Sequence, residues 1–218
     1  GPADGKLQRA AARGQRISFT FAARPLNETA PKALKIAASD LKSENGVIAS
    51  SNIDLRYVQH ATRRSFNTVA YSIAPESLRP VEGLKMARDA TRQFWITVHV
   101  PADAKPGLYS GEVSISGGAV PLKMPLSVEV LDWELDEPDF LIGYFGTHVP
   151  AELPEARKKT ALKELLTLLR ENGMNTFSGG PAVKFSGLDA NGKPLLDFAE
   201  CDEFFRIARE AGFNKTVV

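Results

Sequence analysis

The sequence contains a single cysteine, Cys201, and that alone excludes an internal disulfide. Histidine is nearly as scarce: His60, His99 and His148 are isolated from one another, and none has a partner at the spacing a zinc site needs. Charge of one sign is missing too. The chain has 27 Lys and Arg against 26 Asp and Glu, a formal net charge of +1. That excludes the overall basic surplus on which nucleic-acid-binding and dedicated membrane-surface proteins depend. No apolar run approaches the length of a membrane span. Neither Gly-x-x-x-x-Gly-Lys-Ser/Thr nor Gly-x-Gly-x-x-Gly occurs, so nucleotide binding has no support and no cofactor is expected. Residues 1–4 have neither the charged nor the apolar region of a signal peptide. Gly1-Pro2 resembles a protease-cleavage scar, however, so that absence does not argue for a cytoplasmic home.

What is present is an ordinary globular composition, 43% hydrophobic and 24% charged over 218 residues. That length suits one large domain, or one ordinary domain and part of a second. Residues 1–14 are small, polar and basic, and are expected to fray. From residue 15 to about 135 the pattern is all strand. Residues 17–21 alternate with period two, as do 53–58, and 69–73 form another short run. Weaker candidates at 34–41 and 47–48 flank an Asn45-Gly46 turn signal. The clearest strand covers 93–100: Phe94, Ile96, Val98 and Val100 point one way, Trp95, Thr97 and His99 the other. Asp103-Ala104-Lys105-Pro106-Gly107 follows as a turn in which Pro106 presets φ and Gly107 supplies a positive one. A strand at 108–115, a hairpin signal at Gly117-Gly118, and strands at 120–124 and 126–131 complete the set. Short strands with turns at this spacing predict a β-sandwich.

The period changes after Trp133. Asp136-Glu137-Pro138-Asp139 reads as a linker, and residues 140–145 form a continuous apolar run expected to be a strand buried on both faces. Helical spacing over 154–172 puts Leu162, Leu165, Leu166 and Leu169 on one face, with Gly173 placed to cap. A short strand at 174–177, a Gly/Pro-rich loop with an Asn191-Gly192 turn, a helix over 198–211 and a third strand from 213 to 218 follow. Arg170-Glu171-Asn172-Gly173-Met174-Asn175 aligns with Arg209-Glu210-Ala211-Gly212-Phe213-Asn214 at an offset of 39 residues. Helix end, Gly cap, apolar residue and Asn recur in order, as in successive αβ units of a parallel sheet. The predicted fold is thus a β-sandwich (15–135), a linker (136–139) and the first βα units of an incomplete (β/α)8 barrel (140–218). A full barrel needs about 250 residues, so the chain is expected to be a fragment. Its open barrel edge invites self-association.

The stretch from Gln93-Phe94-Trp95-Ile96 through Pro101-Ala102-Asp103-Ala104-Lys105-Pro106-Gly107 to Gly111 resembles a signature segment in the N-terminal sandwich of glycoside hydrolase family 123 and related bacterial proteins. Leu126 to Leu135 is similar to the strand by which that sandwich hands over to its barrel. The resemblance implies an exo-acting hydrolase of N-acetylgalactosaminides, a glycan partner, and an extracellular or periplasmic location. It also implies an adjacent Asp-Glu pair at the C-terminal end of a barrel strand: the Asp orients the substrate's acetamido group, which attacks the anomeric carbon, and the Glu is the general acid/base. Here Asp136-Glu137 falls in the linker and Asp202-Glu203 inside a helix, so neither is in register to be that pair. The catalytic residues are therefore unassigned, and the chain by itself is expected to be inactive.

Substrate-binding candidates are Tyr144 and His148, at the end of the first barrel strand, and Asn175, at the second. For each there is a structural alternative: Tyr144 as barrel filling, His148 as a solvated loop residue, and Asn175 as a structural residue, because Asn214 repeats its position. Trp95 and Trp133 are either sugar platforms or core and junction residues. Cys201 reads as a buried structural thiol, and Arg56, Arg63 and Arg64 as a solvated basic face. A non-catalytic carbohydrate-binding or cell-surface module, and a purely structural support for the barrel, remain as rival readings.

Overall fold

A computed structural model of the chain describes residues 6–26, 34–66, 69–87, 90–117, 121–146 and 149–214. The chain divides into two compact units, Gly1–Asp136 and Glu137–Val218, and each has its own core.

The first unit is a β-sandwich. Its four-stranded sheet runs in the order β2 (Arg16–Ala23), β8 (Arg92–His99), β6 (Ile53–Arg64), β7 (Tyr71–Pro80). The opposing sheet has the order β1 (Leu7–Arg13), β10 (Leu122–Glu134), β9 (Gly107–Ser116), β4 (Leu41–Ser43), β5 (Gly46–Ile48), with β3 (Lys35–Ala38) also paired to β9. Period-two alternation buries Ile17, Phe19, Ile96 and Val98 from one sheet against Val113, Leu126, Val128 and Val130 from the other. Each such aliphatic side chain contributes about 1.5–3 kcal/mol by leaving water. Phe94 is buried and stacks on Phe21 with ring centroids 4.9 Å apart.

Three expectations for this unit need correction. The first residues do not fray from Leu7 onward: β1 lies parallel to β10, and Ala11 and Ala12 are buried. Small side chains carry no periodic signal, and the strand is held by main-chain pairing to an otherwise open edge of β10. Secondly, 120–124 and 126–131 are not separate strands. One strand, β10, passes through Pro125, where β1 has not yet begun to pair, since its register starts at Leu7 opposite Leu126. Proline's missing N–H is tolerated at such a free edge. Lastly, the weak candidate over 34–41 breaks at Ser39-Asp40, so that β3 and β4 share one side of β9. The close approach requires Gly111: a Cβ there would lie 2.6 Å from the Asp40 carbonyl oxygen and the Ser39 hydroxyl. The Gly117-Gly118 hairpin signal falls largely outside the described residues.

The turn at 103–107 is clamped by two long side chains. Tyr109 is fully buried and its hydroxyl donates to the Lys105 carbonyl at 2.9 Å. Asn45 Nδ2, from the β4–β5 turn, donates to the Pro106 carbonyl at 2.7 Å. The two turns are therefore tied together, and Gly107 at their junction has φ +146°.

The second unit is a βαβ arrangement with additions. Strand β11 (Gly143–Phe145) pairs in parallel with β12 (Thr176–Ser178), and helix α1 (Glu155–Glu171) connects them. Of the apolar run at 140–145 only its last three residues are strand; Phe140 and Leu141 are half exposed, so burial on both faces does not hold for them. The loop expected after β12 contains an antiparallel hairpin instead, β13 (Lys184–Leu188) with β14 (Pro194–Asp197), closed by the Asn191-Gly192 turn. Its strands are short and almost wholly exposed, so no hydrophobic period marks them. Helix α2 (Ala199–Glu210) follows, with the Asp197 carboxylate accepting the Ala199 N–H at 2.9 Å.

The 39-residue repeat has a common geometry. Met174 N–H bonds back to Leu169 and Gly173 N–H to Arg170; Phe213 and Gly212 make the same two bonds to Ala208 and Arg209. Both helices thus end in a Schellman motif, with Gly173 at φ +87° and Gly212 at φ +93°. The core packs Leu166 and Leu169 of α1 against Phe177, Phe204, Ile207 and Phe213. Phe177 meets Phe204 and Phe213 edge-on at 5.6 and 5.0 Å. The third strand expected from residue 213 lies mainly outside the described residues.

Candidate functional site

In a parallel βα unit, the loops leaving the C-terminal ends of the strands are where chemistry is placed. Here those loops are the segments after Phe145 and after Ser178. Tyr144 lies in β11 with its backbone opposite Phe177, and Gly146 N–H donates to the Ser178 carbonyl at 3.4 Å. His148 lies outside the described residues.

Asn175 is placed differently from a sugar ligand. It is 1% exposed, a buried polar side chain at the start of β12. Its Oδ1 accepts the Ile142 N–H at 2.8 Å and its Nδ2 donates to the Phe140 carbonyl at 2.9 Å. The Asn175 main-chain N–H adds a bond to the Ile142 carbonyl at 2.9 Å. Both polar atoms of the side chain are thus engaged with the backbone that leads into β11. This geometry fits the structural alternative for Asn175 better than a contact with substrate.

Beside these loops, a cleft of about 600 Å³ opens between the N-terminal halves of α1 and α2. Apolar Leu162, Phe204 and Ile207 line it together with charged Lys159, Glu200 and Glu203. Gly180 and Pro181, from the loop after β12, close one side, and Cys201 donates its thiol to the Pro181 carbonyl at 3.3 Å. The cysteine is buried, consistent with a structural thiol. Sequence reading missed this cleft, because it depends on how two helices separated by a hairpin pack together.

Glu203, in the wall of the cleft, is held as an anion. Glu203 bonds Arg206 at 2.8 Å and Lys159 at 3.0 Å. The Arg206 hydrogen bond, then that from Lys159, brings its pKa down to about 2. Glu210 is likewise lowered, by Lys163 and Arg206. A general acid for glycoside cleavage needs the opposite, a carboxyl kept protonated near neutrality. Glu137 of the linker dipeptide pairs with Arg170 at 3.0 Å, and Asp202-Glu203 sits within α2. Among the described residues no group of three His, Cys, Asp or Glu is arranged to hold a metal ion.

In the sandwich, Trp95 lies on the outward face of β8 and is half-buried, while Trp133 at the end of β10 is 49% exposed. They belong to opposite sheets and so do not form one stacking platform. Arg56 pairs with Asp54 at 2.6 Å and Arg63 with Glu76 at 2.7 Å, as expected of a solvated basic face.

Residues 3–117 match the profile described as the glycoside hydrolase 123 N-terminal domain. The chain belongs to that family. The match covers the signature turn at 103–107 with its Tyr109 clamp, and runs through β9 of the sandwich. A solved family 123 glycoside hydrolase from Clostridium perfringens, described in connection with glycolipid glycan hydrolysis, superposes with a TM-score of 0.75 at 17% identity. The superposition covers 96% of this chain and 42% of that one, so the family 123 chain described here spans less than half of its solved neighbour. At that identity the likeness concerns fold. An endo-fucoidan hydrolase of glycoside hydrolase family 107 aligns over 57% of this chain and 12% of its own, with 7% identity and a TM-score of 0.26, too loose to argue from. A search of curated proteins gave no match.

Proposed function

We propose that this chain is the N-terminal part of a glycoside-hydrolase-related protein that acts on N-acetylgalactosaminide-bearing glycans, with the sandwich as structural support and the second unit as the start of a (β/α)8 barrel. Family membership over residues 3–117 carries the reading. The parallel β11–α1–β12 unit and the identical helix caps 39 residues apart support the barrel assignment. Tyr144, in β11, and His148, which follows β11 in the sequence, are the positions proposed to meet substrate. An extracellular or periplasmic site of action goes with the glycan substrate.

The chain by itself is proposed to be inactive. Glu137 and Glu203 are tied to cations, and Glu203 is held ionised well below the range of a general acid. The test is hydrolysis of an aryl N-acetylgalactosaminide by the purified 218-residue chain. No turnover above a buffer blank is expected, and turnover abolished by Glu203→Gln would overthrow the claim of inactivity. The rival reading, a sugar-binding sandwich, is disfavoured by the placement of Trp95 and Trp133 in opposite sheets. Calorimetric titration of N-acetylgalactosamine into the chain should show no heat that depends on either tryptophan.

A further inference from the structure

The hairpin of β6 and β7 is longer than the sheet that carries it. Strand β8 pairs with β6 only from Ile53 to Tyr57, whereas β7 pairs with β6 as far as Arg64 opposite Tyr71. Beyond Tyr57 the hairpin is therefore a two-stranded ribbon that has left the four-stranded sheet. Its end is apolar and open to solvent: Phe66 is 90% exposed, Val69 86%, Tyr71 68% and Ile73 77%. Four large apolar side chains at the end of one projecting ribbon are a patch, not scattered surface residues, and such a patch marks a contact surface. Between Thr62 and Ile73 the charged residues are Arg63 and Arg64, with no acid among them. Arg63 remains 60% exposed while paired with Glu76. The paired residues Arg64 and Tyr71 share one face of the ribbon, as do Thr62 and Ile73.

We propose that the tip of the β6–β7 hairpin docks on an anionic phospholipid surface, with Phe66, Val69, Tyr71 and Ile73 entering the interfacial region and Arg63 and Arg64 meeting the headgroups. Aromatic and aliphatic side chains flanked by arginine are what the bilayer interface takes up, and each arginine adds attraction to a negatively charged leaflet. The near-neutral charge of the whole chain does not oppose this, because the attraction acts within a Debye length of the tip. A second copy of the chain is a poorer occupant. β7 is an edge strand that carries Pro75 and Pro80, which lack N–H donors, and its register is broken at Glu76; both features blunt edge pairing. Two tips brought together would also set arginines against arginines.

Cosedimentation of the full chain with vesicles tests the proposal. Vesicles of phosphatidylcholine with about 30% phosphatidylserine, at about 0.1 M salt, are compared with phosphatidylcholine alone. Binding should favour the anionic vesicles. It should be lost in Phe66→Ser/Val69→Ser and weakened about tenfold in Arg63→Gln/Arg64→Gln. All four positions are exposed, so circular dichroism and the thermal midpoint of these variants should match the parent. In Phe66→Trp, tryptophan emission should shift to the blue when anionic vesicles are added. Equal binding to both vesicle types, or no binding, overturns the proposal. A change in sedimenting mass caused by the tip substitutions without lipid would assign the patch to self-association and overturn it as well.

Discussion

At the scale of single residues, the positions that matter most here act on main chain. Asn175 is the clearest: a buried amide with both polar atoms bonded to residues 140 and 142. Replacing it by Ala removes the side-chain partners of the Ile142 N–H and the Phe140 carbonyl, at about 0.5–1.5 kcal/mol for each bond. Asn175→Ala should lower the stability of the second unit by that order in urea denaturation. Asn175→Asp should be no milder, because the carboxylate oxygen that replaces Nδ2 faces the Phe140 carbonyl as a second acceptor and brings a charge into a buried site. Glu203 offers a prediction in pH. Its folded pKa, about 2, lies below the ordinary 4.5, so its ion pairs are complete above about 4.5 and are lost as the pH falls towards 2. A carboxyl-carbon NMR titration should place its midpoint near 2, and Arg206→Ala should move that midpoint upward, since Arg206 is the larger cause. A midpoint near 4.5 in the parent chain would contradict the arrangement.

At the scale of elements, sequence pattern works where one face is dry and fails where pairing is made by backbone. Strand β8 is legible because Phe94, Ile96 and Val98 are buried while their neighbours are not. Helices α1 and α2 are legible because their leucine and phenylalanine stripes end at glycines that the caps require. Strand β1 is not legible, because Ala10, Ala11 and Ala12 contribute little burial of their own and the strand exists only beside β10. The β13–β14 hairpin is nearly invisible for the opposite reason: its side chains face water, and only the Asn191-Gly192 turn betrays it. The signature turn joins both kinds of information. Pro106 and Gly107 mark it as a turn in sequence, and the structure adds what holds it: Tyr109 and Asn45 anchor successive carbonyls. Tyr109→Phe and Asn45→Ala should each cost about 0.5–1.5 kcal/mol. Because the two bonds hold adjacent residues, a double-mutant cycle should show coupling of at least about 0.5 kcal/mol. Strict additivity would mean that the two turns are not mechanically joined.

At the scale of the whole molecule, each unit has a separate hydrophobic core, and the division falls between Asp136 and Glu137. Two cores that share no buried residue should unfold as two transitions. Phe204→Ala removes an aromatic side chain from the second core alone and should cost about 3–5 kcal/mol there. Differential scanning calorimetry should then show the smaller transition moved down and the sandwich transition unchanged. A single transition that moves as one would deny the division.

The sequence by itself determined the two-part organisation, the sandwich strands that alternate, the helices with their glycine ends, and the family resemblance that the profile match then established. Those features are written in local periods, turn residues and caps, whose physics acts over a few neighbours along the chain. The tertiary structure alone decided that the N-terminal residues join a sheet, that Asn175 serves the backbone of residues 140–142, that Lys159 and Arg206 converge on Glu203 beside a cleft, and that the β6–β7 ribbon outruns its sheet. Each of these depends on which distant segments meet, and on the burial and pairing that follow once they do.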